Sequence, residues 1–142
     1  MTGTNRGGVH HIDLNVSDLA ASRAVYGPVL EFLGYAQVKD DATGCEWDLK
    51  PDGRGASLGL RLCDPAFATH RHERYAPGLH HLAWRAESRE DVDRLHALLI
   101  EREIKILDPP AHYPDYSGDY YAVFFEDPDG MKLELVHAPG WI

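Results

Sequence analysis

Two histidine pairs, His10-His11 and His80-His81, each open a segment patterned like a β-strand, HHIDLNVSD and HHLAWRAES. A third such segment, EDPDGMKLELV at 126–136, carries one acid in its strand portion, Glu134. Two imidazoles and a carboxylate delivered from three strands form the donor set of an open divalent-metal site. Such a set suits Zn, Fe, Mn, Ni or Co and leaves coordination positions for water or substrate. The expectation is one divalent metal ion per chain and a metal-dependent enzyme acting on a small molecule. Nine histidines among 142 residues make a single chance doublet ordinary. The weight rests on three donors falling at matching places in a repeated pattern.

Strand parity selects which residues share a cavity. In HIDLNV, Ile12, Leu14 and Val16 fall on one face and His11, Asp13 and Asn15 on the other. If the apolar face packs on a helix, His11 faces the cavity and His10 does not. The same logic selects His81 over His80. In the last strand Leu133 and Leu135 turn to the helix, leaving Glu134 on the cavity face beside Lys132 and Val136.

The elements that must position these donors read as βαβββ, twice. After the first strand, Ser17 or Asp18 caps a helix LAASRAVYGPVLEFL, which Pro28 is expected to kink or split and Gly34 to end. Strands are expected at about 35–40, 44–49 and 57–63. Residues 64–77, DPAFATHRHERYAP, show no period and read as a linker, with His70 and His72 as solvated loop residues. The second module runs from a strand at 81–85 through a helix capped by Ser88 and striped with Val92, Leu95, Leu98 and Leu99. A short strand at 104–107, a loop DPPAHYPDYSGD, a strand YYAVFFE, a DPDG turn and the strand MKLELV complete it. The expected fold is α+β: one domain over 1–142, with module one at about 8–63 and module two at about 78–137. The two modules form a curved mixed sheet that cups the metal site.

Composition narrows the partners. The net charge is −9, from 14 basic and 23 acidic residues, with no basic cluster, so no nucleic-acid partner is expected. No apolar run reaches the roughly 18–20 residues of a membrane span, so no membrane partner is expected either. The start, MTGTNRGGVHH, has no signal-peptide core, which makes a cytoplasmic location the expectation and thiols the expected state of Cys45 and Cys63.

HHIDLNVSDLAASRAVYGPVLEFLGY resembles the opening of the vicinal oxygen chelate superfamily, which includes glyoxalases, bleomycin-resistance proteins and extradiol dioxygenases. GLHHLAWRAESREDVDRL is similar to its second metal strand, and EDPDGMKLELV to its ending. The resemblance implies a pair of βαβββ modules forming a metal-holding cup, His11, His81 and Glu134 as metal ligands, and a homodimer. It implies a substrate chelated through two adjacent oxygens, with lactoylglutathione-lyase-like, isomerase, thiol-transferase or dioxygenase chemistry left open. The alternative it offers is a metal-free, drug-sequestering protein of the bleomycin-resistance type. Many glyoxalases of the family carry a fourth Glu or Gln ligand on the last strand of module one. Here that strand is SLGLRLC, with Gly59 at the matching position, or Arg61 if the register slips by two. A three-ligand site is therefore the expectation. His112, Tyr113, Tyr116, Tyr120 and Tyr121 are expected near the pocket mouth, with His112, Tyr113 and Tyr121 as candidate catalytic groups beside Glu134.

Overall fold

The computed structural model describes residues 6–50 and 55–142, and these form two compact units, one running to Thr69 and the other starting at His70. The first unit has the order β1 (His11–Val16), α1 (Leu19–Phe32), β2 (Ala36–Asp41), β3 (Gly44–Leu49) and β4 (Ala56–Leu62). The second has β5 (Leu82–Arg85), α2 (Arg89–Glu101), β6 (Ile106–His112), β7 (Tyr121–Glu126) and β8 (Lys132–His137). Among the described residues each unit is a four-stranded mixed sheet with one α-helix, ordered β1-β4-β3-β2 and β5-β8-β7-β6. The first and last strands of each unit run parallel as neighbours, and the remaining pairs are antiparallel. The expected βαβββ repeat and α+β class are what the chain adopts.

Alternation builds both cores. In the first unit Leu14, Val16, Cys45, Trp47, Leu58 and Leu60 are buried on the face that α1 covers with Tyr26, Val29 and Leu30. In the second, Val123, Phe125, Leu133 and Leu135 meet Val92, Leu95 and Leu99 of α2. Asp18 caps α1 by accepting from the Ala21 amide at 3.0 Å, and Ser88 caps α2 through the Asp91 amide at 3.1 Å. Gly34, at φ +94°, ends the first helix in the left-handed region.

Three local expectations are corrected. Pro28 does not split α1, which continues from Leu19 to Phe32. Tyr26, Val29 and Leu30 flank the proline at no more than 1% exposure. Burying such side chains contributes about 1.5–3 kcal/mol each, which outweighs the ~3 kcal/mol of one interior proline. The strand expected at 104–107 runs instead from Ile106 to His112, through Pro109 and Pro110. It is the sheet's edge, and its register with β7 shifts between Asp108 and Ala111, so the prolines cost no regular ladder bond. His72 is more than a solvated loop residue: its Nε2 meets the Leu79 carbonyl at 2.8 Å and its amide donates to the Asp129 carbonyl at 2.9 Å. Arg71 beside it reaches Glu126 at 3.0 Å and the Pro128 carbonyl at 3.2 Å.

Among the described residues no helix is long and apolar enough to cross a membrane. Cys45 and Cys63 are free cysteines.

Candidate functional site

The second unit gathers its donors on the sheet face turned away from α2. Phe124 pairs with Glu134 and Ala83 with Glu134 in the ladders on either side, so parity puts His81, Phe124 and Glu134 on one face. Glu134 is fully buried. Its Oε2 accepts the hydroxyl proton of Tyr120, itself buried. Its Oε1 stands 3.0 Å from His81 Nε2. Buried and without a hydrogen-bond donor, Oε1 does not lie where an Nε2–H would point. Burial pushes the Glu134 carboxyl above the usual range, and the Tyr120 hydroxyl and the neighbouring His81 imidazole pull it back.

That pair fits a divalent cation. Ligand bonds of about 2.0–2.2 Å set at the right angle of an octahedral site leave the two ligand atoms about 3.0 Å apart, the distance found here. A shared cation also gives the orphaned Oε1 its missing partner. The Nδ1 of His81 is engaged by His80 Nδ1 at 2.8 Å, leaving Nε2 as the nitrogen that would bind. Within either unit, among the described residues, no three His, Cys, Asp or Glu side chains cluster closely enough to hold a metal by themselves.

Aromatic rings pave the same face. Tyr120, Ala122 and Phe124 form a buried cluster joined by Tyr113, Leu107, Val136 and Ala138. Tyr113 packs edge-on to Phe124 at 5.5 Å and stacks on Tyr116 at 5.5 Å. Lys132 lays its ammonium 4.3 Å from the Phe124 ring centre. Desolvation holds the Tyr113 and Tyr120 hydroxyls in the neutral, donating form by raising both above the ordinary phenol value; at Tyr120 the Glu134 hydrogen bond adds to it.

Not every expected residue joins this group. Tyr121 points the other way: its hydroxyl donates to Asp93 Oδ1 of α2 at 2.6 Å, and its ring lies under the Arg89 guanidinium at 4.7 Å. His112 is exposed and its Nε2 meets the Gly118 carbonyl at 2.9 Å, closing the 113–119 loop. Tyr120, expected only as one of the aromatic residues near the pocket mouth, is the one that meets Glu134. The signal was present in the alternation of Tyr120, Ala122 and Phe124 against Tyr121, Val123 and Phe125, but assigning the faces needs the β7–β8 register.

His11 stands at the start of β1 in the first unit, exposed, on the face opposite Ile12, Leu14 and Val16. Its Nδ1 meets His10 Nδ1 at 3.0 Å. On the same face Asp13 pairs with Gly59, and Gly59 with Glu46. A Cβ built at Gly59 would overlap Asp13 Oδ1, so the Asp13 carboxylate lies over the glycine. The other Asp13 oxygen is 3.4 Å from Arg61 Nε, and Glu46 Oε1 accepts from the Ser57 hydroxyl at 2.7 Å.

Residues 8–135 match the model of the Glyoxalase/Bleomycin resistance protein/Dioxygenase superfamily. The chain belongs to this superfamily. Among related proteins, the uncharacterized protein YqjT of Bacillus subtilis is 40% identical over 129 residues, covering 90% of this chain and 97% of the relative. The uncharacterized protein YaeR of Escherichia coli is 34% identical over 134 residues, covering 89% and 93%. A provisionally named glyoxalase from Bacillus halodurans, solved by crystallography, superposes with a TM-score of 0.77 at 34% identity over 94% of this chain and 97% of that one. In this superfamily member, then, both units keep the common βαβββ frame, while the polar residues of their sheet faces differ.

Proposed function

We propose that this superfamily member is a metal-dependent enzyme acting on a small molecule with two neighbouring oxygens, and that His11, His81 and Glu134 hold one divalent cation. The observation that carries this reading is the His81–Glu134 pair: a buried carboxylate oxygen 3.0 Å from an imidazole nitrogen but off hydrogen-bond alignment with it. Burying a carboxylate costs several kcal/mol unless something compensates it. Here one oxygen has Tyr120 and the other faces the His81 nitrogen off hydrogen-bond alignment.

When bound, the cation supplies Lewis acidity to the substrate's oxygens. The chain's own residues do the rest. Tyr120 orients Glu134 by donating to Oε2, as a partner behind a ligand does. Phe124 and Tyr113 offer apolar contact, and the protonated Tyr113 hydroxyl is available as a donor to a substrate oxygen. Lys132, on the Glu134 face, adds a positive charge that favours anionic groups. Gly59 and Arg61 contribute no usual ligand, which supports a site with open positions. A homodimer and a cytoplasmic location belong to the same proposal.

The test is metal content and binding in the purified protein, followed by a screen of catechols, 2-oxoaldehyde–thiol adducts, fosfomycin and bleomycin. Turnover that needs metal and is abolished in Glu134→Ala supports the enzyme. Tight drug binding by metal-stripped protein, unchanged in Glu134→Ala, supports the sequestering reading in its place.

A further inference from the structure

Both histidine doublets contain a contact that ligand assignment leaves unused. His80 Nδ1 stands 2.8 Å from His81 Nδ1, and His10 Nδ1 stands 3.0 Å from His11 Nδ1. The rings are close to perpendicular in both pairs, at 77° and 86°, with centroids 5.0 and 5.2 Å apart. The same two atoms meet in the same way at the entry to the first strand of each unit. Two imidazole Nδ1 atoms at this distance form a hydrogen bond only if one bears a proton and the other presents a lone pair.

The direction of that bond decides what the other nitrogen of each ring can do. A neutral histidine protonated at Nδ1 keeps its Nε2 lone pair for a cation; one protonated at Nε2 must first lose that proton. Next to Glu134 Oε1 the relevant atom of His81 is Nε2. If His80 donated to His81, the proton on His81 would sit on the nitrogen that must bind. If His81 donates to His80, Nε2 is left open. His80 is itself held by an edge contact with Tyr75, at 5.6 Å and 71°, and the backbone of His10 is fixed by the Ser57 amide at 2.9 Å.

We propose, resting on the metal reading above, that His10 and His80 are positioning residues. Each accepts the Nδ1–H of the histidine that follows it, holding His11 and His81 in the tautomer that offers Nε2 to the metal. The first histidine of each doublet is thus part of the site without being a ligand.

Two substitutions at 80 separate hydrogen bonding from packing. His80→Phe keeps a ring for Tyr75 and removes the acceptor. His80→Asn removes the ring and keeps an acceptor oxygen near the place of Nδ1. Zinc affinity is measured by chelator competition on the full chain. The expected result is a loss of about 10–100-fold in His80→Phe, the usual effect of removing a partner behind a metal ligand, with most of the affinity restored in His80→Asn. His10→Phe should lose affinity in the same direction. In the zinc-loaded, ¹⁵N-labelled protein, His81 should retain a slowly exchanging proton on Nδ1, and that proton should exchange faster in His80→Phe. Wild-type zinc affinity in His80→Phe, an equal loss in His80→Asn, or zinc bound to His81 Nδ1 would each overturn the proposal. His81→Ala separates the two levels. If it keeps full zinc affinity, the metal reading itself fails. If it loses zinc while His80→Phe does not, only the positioning role fails.

Discussion

The two units share a frame and differ in where they put their charge. Counting two residues on from the second histidine of each doublet gives Asp13 in the first unit and Ala83 in the second. Their partners on the neighbouring parallel strand are Gly59 and Glu134. The acid has changed strands: acid and small residue in one unit, small residue and acid in the other. The next cross-strand pair shows the same exchange, Asn15 with Arg61 against Arg85 with Val136. Across the third strand, Glu46 occupies the place held by Phe124. The result is one sheet face that is polar and another that is aromatic with a single buried acid. Asp13 and Arg61 are exposed and share a surface ion pair, which contributes little. Glu134 is buried, and its surroundings must account for both its oxygens. A duplicated fold thus keeps the apolar pattern that builds the core and leaves the opposite faces free to diverge.

If that contrast is correct, the largest effect comes from the buried acid. Glu134→Gln should remove most of the zinc affinity yet melt no lower than metal-free wild type, because the neutral amide no longer carries the cost of a buried charge. Zinc competition and thermal melting together check this, and a melting temperature that collapses would assign Glu134 to stability instead.

Tyr120→Phe should come next. It leaves Glu134 Oε2 buried and unpartnered, at a cost of about 1–3 kcal/mol, and should weaken zinc binding about 10–100-fold. Denaturant unfolding and zinc titration read the two effects. Tyr121→Phe, which frees only Asp93 on the helix side, should leave zinc binding unchanged.

A smaller effect should follow from giving the first unit the arrangement of the second. Gly59→Glu should tighten metal binding and lower any activity that needs an open coordination position. The new Cβ must displace the Asp13 carboxylate, so the double variant Asp13→Ala, Gly59→Glu should bind metal more tightly than Gly59→Glu alone. Isothermal titration with zinc orders the three proteins.

The smallest effect lies in the first unit's β2–β3 turn. Asp41 Oδ1 accepts from the Thr43 hydroxyl at 2.6 Å, the Thr43 amide at 2.8 Å and the Gly44 amide at 3.2 Å. The Thr43 hydroxyl is the first cause that lowers the carboxyl from 3.8 to about 2. A depressed acid stabilises the fold above its unfolded pKa and loses that contribution as the proton is taken up. The Asp41 contribution should therefore be complete above about pH 4 and fade as the pH falls toward about 2. Thr43→Ala should raise the Asp41 pKa, read by NMR titration of its carboxyl carbon.

Alternation made the frame legible in the sequence. Leu14 and Val16, Leu58 and Leu60, and Leu133 and Leu135 each mark a buried face, and His11, His81 and Glu134 fall opposite it. Features that depend on tertiary partners were not legible. Pro28 reads as a helix breaker until the burial of Tyr26, Val29 and Leu30 is known. Pro109 and Pro110 read as loop until β6 is seen to be an edge strand. Tyr120 and Tyr121 are adjacent and chemically identical, and only the β7–β8 register puts one against Glu134 and the other against α2. The contact between the histidines of each doublet was hidden for a similar reason, since strict strand alternation sends neighbouring side chains to opposite faces.

Whether the His81–Glu134 pair chelates is tested most directly by an equilibrium zinc titration of metal-stripped protein, run beside His81→Ala and Glu134→Gln. About one zinc per chain is expected in wild type and a strong loss of affinity in both variants, with the fold intact by circular dichroism. Zinc bound equally well by wild type and by Glu134→Gln would contradict it.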